Sequence, residues 1–138
     1  MAIFIREYLD DMKETILPFS PKKEYFTEEL CHIIELSNSD KDEDLSIAQA
    51  RVEPGVSTRW HRLKNTVERY YIISGEGQVE IGDLSARQVN AGNVVLIPAL
   101  CPQRIHNTGD KDLIFLAICS PRFLQENYED LSQENNLS

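Results

Sequence analysis

From Tyr25 onward, apolar and polar residues exchange places every position or two, in short runs separated by turn-forming residues. Alternation with a period of two marks half-buried strands. It predicts strands over 31–36, 45–52, 58–63, 67–74, 77–81, 87–89, 93–97, 103–107 and 113–118, parted by loops such as Glu53-Pro54-Gly55, Gly82-Asp83 and Asn90-Ala91-Gly92. So many short strands without intervening helices suit an all-β jelly-roll barrel. The ends of the chain read differently. Ile5, Leu9, Met12 and Ile16 recur at helical spacing, which predicts a short N-terminal helix over 3–17, closed by Pro18 and Pro21. A short C-terminal helix is expected over 122–131, and the polar stretch 132–138 is expected to be a flexible tail. The organisation is therefore an N-terminal helical extension (1–24), one barrel (25–121) and a C-terminal helix with its tail (122–138).

Alternation also assigns faces. If His61 opposes Glu68, then Lys64-Asn65 is a two-residue hairpin turn, and the imidazole and carboxylate face each other across one ladder. Arg59 and Leu63 then share the inward face with His61, and Tyr70 and Ile72 share it with Glu68. Trp60, Tyr71 and Ile73 take the outer face. His61, Glu68 and Tyr70 are the candidate catalytic residues, with Arg59 and Tyr70 the candidate substrate contacts, since an inward guanidinium suits a carboxylate or phosphate.

The spacing of these residues resembles that of the small single-domain cupins. Gly55, His61, Glu68 and Gly75 match the first cupin motif, and Gly92, Pro98 and Asn107 match the second. Leu63 stands where that motif has its second histidine, Leu100 where the second motif has a glycine, and Gln103 where it has a histidine. The resemblance implies a cupin-type barrel and a divalent transition metal (Fe, Mn, Ni or Zn) held by His61, Glu68 and Gln103. Parity turns His106 outward unless a bulge intervenes, and Pro102 separates Cys101 from the strand that would aim it inward. The resemblance further implies a metal-dependent enzyme, dioxygenase-like or sugar-isomerase-like, acting on a small polar or anionic molecule. Three alternatives stand beside it: a metal-free acid–base pair of His61 and Glu68, a hydrogen-bonded polar pair that serves only the folded barrel, and a non-catalytic small-molecule binder or sensor.

Charge narrows the partners. Fourteen basic against 23 acidic residues leave a net −9, which opposes nucleic acid and anionic membranes. The longest apolar stretch, 113–119, is far shorter than a membrane span. Met1 to Ile5 run straight into Arg6 and Glu7 without a signal-peptide pattern. Three widely spaced cysteines, Cys31, Cys101 and Cys119, fit reduced thiols and a cytoplasmic setting. An apolar outer face at Tyr71 and Ile73 would imply a homodimer. The acidic run 40–44 reads as a solvated loop, because it lacks the glycine and closing glutamate of a calcium loop.

Overall fold

Strands dominate the computed structural model, which describes residues 12–132. In chain order these are β1 (Tyr25–Phe26), β2 (His32–Ser37), β3 (Ser46–Val52), β4 (His61–Leu63), β5 (Val67–Ser74) and β6 (Glu76–Ile81). They continue as β7 (Arg87–Asn90), β8 (Val94–Ile97), β9 (Gln103–Asn107), β10 (Leu113–Ser120) and β11 (Tyr128–Asp130). Two antiparallel sheets face each other. The larger runs β1-β2-β3-β10-β5-β8 and the smaller β11-β4-β9-β6-β7. The jelly-roll barrel expected from the alternation is present.

The expected alternation places the core. Glu68, Tyr70 and Ile72 of β5 are buried between exposed Val67, Tyr71 and Ile73. Gln103, Ile105 and Asn107 of β9 are buried in the same way. Val52, Ile72, Ile97, Ile105 and Leu113 meet in a closely packed interior. Gly75 lets β5 turn into β6 where the chain brushes β10. Its φ is +87°, and a Cβ there would lie 2.7 Å from the Asp112 carbonyl oxygen and 2.9 Å from Leu113 Cα, so only glycine fits.

Three expectations are corrected. First, β4 and β5 are not a hairpin. β4 pairs with β11 and, through His61 and Gln103, with β9, whereas β5 pairs with β10 and β8. A tight type I′ turn needs positive φ at both central residues. Asn65 has it (63°) and Lys64 does not. Residues 64–66 instead carry the chain from one sheet to the other, held by Lys64 N–H donating to Asn127 O (2.8 Å) and Thr66 Oγ1 donating to Pro121 O (2.5 Å).

Second, the expected helix over 122–131 does not form. After a single 3₁₀ turn at Gln125–Asn127 the chain forms β11, with Tyr128, Glu129 and Asp130 opposite Leu63, Arg62 and His61. Two ion pairs brace this ladder, Arg62–Glu129 at 2.6 Å and Arg59–Asp130 at 3.0 Å. Pairing satisfies the open edge of β4 and overrides the weak helical propensity of the segment. The barrel therefore runs to Asp130 rather than 121. Third, residues 12–20 form no helix, and Ile16 is 93% exposed. An apolar stripe without a surface to pack against does not sustain a short helix. The rest of the N-terminal helix expectation, 3–11, lies outside the described residues, as does the expected flexible tail from 133 onward.

Candidate functional site

Neighbouring strands of the two sheets bring the inward polar residues together. β5 supplies Glu68 and Tyr70, β9 supplies Gln103 and β4 supplies His61. Gln103 links three of them, since its Nε2 donates to Glu68 Oε1 at 2.8 Å and its Oε1 accepts from the Tyr70 hydroxyl. The other Glu68 oxygen takes only a weak contact from Cys119 Sγ at 3.7 Å. Burial pushes the Glu68 carboxyl up to about 7, against the opposing pull of the His61 charge and the Gln103 hydrogen bond. This carboxyl therefore changes charge near neutral pH. Burial also pushes the Tyr70 hydroxyl well up, so it remains a hydrogen-bond donor.

His61 is fixed from the opposite end. Its Nδ1 lies 2.7 Å from the Arg59 carbonyl oxygen, which requires a proton on Nδ1 and leaves Nε2 as the working end of the ring. Nε2 stands 3.5 Å from Glu29 Oε2. The Tyr128 ring stacks on the imidazole with centroids 5.0 Å apart. The backbone bend that brings the Arg59 carbonyl to His61 interrupts the expected strand 58–63, so Thr58 is buried and the Arg59 side chain is directed to Asp130 instead.

Above these groups opens a cavity of about 480 Å³, and beside it, sharing part of its lining, lies a recess of about 50 Å³. Glu29, Glu68 and Tyr128 line both spaces, and His61 and Tyr70 line the recess. Of the expected site residues, His61, Glu68, Tyr70 and Gln103 converge. Arg59 is not among the lining residues. Leu63 closes the recess with an apolar wall. His106 points outward to Ser57 Oγ at 2.9 Å, and Cys101 sits beside Pro102 O, outside the cavity.

Glu29 and Tyr128 escaped the sequence reading. Glu29 belongs to a loop shaped by Leu30 at φ +73° and by Thr27, which accepts and donates hydrogen bonds at Leu30 and Cys31. No strand periodicity announces such a residue. Tyr128 lies in the segment read as helix.

The donor set does not fit the expected transition metal. The Gln103 oxygen already accepts from Tyr70, and its nitrogen faces Glu68. Turning the amide would set its oxygen against an ionised Glu68 oxygen, two acceptors without a proton between them. What remains is the His61 imidazole, the Glu68 carboxylate and, 3.5 Å from His61 Nε2, the Glu29 carboxylate, which do not converge on one point as a ligand set. Among the described residues no group of three or more His, Cys, Asp or Glu side chains is placed to hold an ion.

Comparison with known proteins agrees with this architecture. The sequence profile of the cupin domain matches residues 48–119. An uncharacterized protein of Methanocaldococcus jannaschii is 30% identical over 131 residues, covering 95% of this chain and 97% of that one. A glucose-6-phosphate isomerase of Thermococcus onnurineus is 28% identical over 124 residues, covering 80% of this chain and 66% of the isomerase. The crystal structure of oxalate decarboxylase from Bacillus subtilis superposes with a TM-score of 0.70 at 21% identity, covering 88% of this chain and 34% of that one. The chain thus spans about two thirds of the isomerase and one third of the decarboxylase. With both motifs on the barrel strands and the turns between them and the profile matched across its centre, the chain belongs to the cupin family.

Proposed function

We propose that this protein is a cupin enzyme that moves a proton on a small polar molecule held in the barrel cavity. Glu68 is the acid–base group, and the observation that carries the reading is its burial at the cavity floor with a carboxyl poised near neutrality. Gln103 and Tyr70 hold that carboxyl in one orientation. His61 Nε2 faces the same recess and stabilises or exchanges a proton on the substrate oxygen. Isomerisation of an aldose to a ketose is a proton shift of this kind, and the archaeal isomerase relative supports it. Arg59 is left out of substrate binding because Asp130 occupies it.

The test is exchange of carbon-bound hydrogen with D2O, read by NMR over a panel of small carbonyl compounds that are neutral, anionic or amino-substituted. Glu68→Gln should slow exchange by about 10²–10⁴-fold, the usual contribution of a positioned acid–base group. Equal exchange rates in both proteins, or none in the wild type, would leave the cavity as a binding site without turnover. A resident transition metal plays no part in this proposal. Freshly purified protein should hold only substoichiometric Fe, Mn, Ni or Zn, and EDTA should leave its melting temperature unchanged. Stoichiometric metal lost in His61→Ala would reverse that expectation.

The proposal extends to setting and assembly. The cysteines are free, Cys31 and Cys119 being buried thiols, which supports a reducing, cytoplasmic compartment. No described helix is long and apolar enough to cross a membrane. The outer face of β5 and β8 is apolar and supports a homodimer.

A further inference from the structure

Hydrogen-bond acceptors outnumber donors around the cavity. Glu28, Glu29 and Glu35 line the walls above Glu68, and apart from His61 no basic side chain among the described residues lines either space. Arg59, Arg62 and Arg51 are engaged elsewhere, with Asp130, Glu129 and Glu24 respectively. His61 adds an unprotonated Nε2 in its neutral form. The Tyr128 hydroxyl oxygen is buried and has no hydrogen-bond partner among the described residues. A lone buried hydroxyl costs free energy unless a guest completes it, so it marks where one docks.

The rest of the lining is aromatic. Tyr25, Phe26 and Phe123 stand around the carboxylates, with the Tyr128 ring beside His61. Faces of such rings attract cations. The volume is far too large for a bare ion and suits an organic molecule.

Resting on the proton-transfer reading of the same cavity, we propose that its guest is a small organic cation, an ammonium or amidinium head on an apolar or cyclic body. The head lies among Glu29, Glu35 and Glu68, donating to the carboxylates and to Tyr128 Oη. The body packs on Tyr25, Phe26 and Phe123. Anionic guests are rejected, which departs from the anionic substrate expected from Arg59.

Calorimetric titration with three probes of similar shape tests this at pH 8: phenethylammonium, 2-phenylethanol and 3-phenylpropanoate. Phenethylammonium should bind at least tenfold more tightly than the alcohol, with the carboxylate weakest. Glu29→Gln and Glu35→Gln should each shrink the preference severalfold while leaving the alcohol's affinity unchanged. Should Glu29→Gln fold poorly through its contacts with Cys31 and His61, the rim variants Glu35→Gln and Glu28→Gln carry the measurement. Equal binding of alcohol and ammonium, tightest binding of the carboxylate, binding of none of the three, or displacement of the ammonium by MnCl2 would each overturn the proposal. The two readings fail separately. Loss of charge preference leaves the exchange result with Glu68→Gln untouched, and unaltered exchange in that variant leaves a preference set by Glu29 and Glu35 intact.

Discussion

Glu68 shows at the level of one residue how burial becomes reactivity. Water is removed from a carboxyl whose burial is offset chiefly by the His61 charge and the Gln103 amide, and its pKa rises from 4.5 to about 7. A raised folded-state value has a definite sign. Below pH 4.5 the group is protonated in both states, and its contribution to stability is fully present. Between 4.5 and 7 the unfolded chain gives up the proton first, so that contribution fades as pH rises, reaching a loss of roughly 3 kcal/mol by pH 8. Glu68→Gln keeps the acceptor for Gln103 Nε2 and removes the titration. Urea denaturation of both proteins from pH 4 to pH 8 should therefore show the variant gaining on the wild type by that order of magnitude across this window. A difference independent of pH would mean that Glu68 does not titrate there.

Among the elements, β11 carries the largest unforeseen role. It covers the open edge of β4, supplies Tyr128 to the His61 ring and presents Asp130 to Arg59. A chain ended after Phe123 should lose Tyr128 and buried Leu131 along with this pairing, a cost of about 2–5 kcal/mol for each large apolar side chain removed. Calorimetry should then give a melting temperature lower by roughly 10 °C or more, and an unchanged melt would show that β4 needs no cover. Period-two alternation made the inward faces of β5 and β9 legible, since a strand buried on one face writes its register into the sequence. It also gave Glu68, Tyr70 and Gln103 their direction. Partner choice was not legible. His61 and Glu68 reach the same recess, but from different sheets, because the residues that divert β4 from β5 are contacted by Asn127 and Pro121, far along the chain. Glu29 was hidden for a related reason, its position depending on a loop conformation and not on periodicity.

The whole molecule carries one surface that its own fold does not explain. Tyr71 and Ile73 on β5 and Val94 and Leu96 on β8 are between 42% and 69% exposed, and β8 ends the six-stranded sheet. Tyr71 stands opposite Val94 in the ladder, and Arg69, opposite Leu96, donates to Ser120 Oγ at 2.8 Å, so the apolar groups cluster beside an open strand edge with one arginine among them. Soluble monomers usually blunt such an edge with charge, a bulge or a covering segment. Trp60, also expected on an outer face, has such cover in Arg104, whose guanidinium lies 5.3 Å from its ring centroid; the β5–β8 strip has none among the described residues. A second copy related by a two-fold axis would cover both strips at once, since a self-complementary patch meets itself in that symmetry. Sedimentation should accordingly find the wild type dimeric and Leu96→Asp monomeric. Because Leu96 is 69% exposed in the single chain, the substitution should move the intrinsic stability of each subunit by no more than about 0.5 kcal/mol, leaving phenethylammonium binding intact. A monomeric wild type, or a Leu96→Asp protein that still sediments as a dimer, would assign the strip to some other purpose.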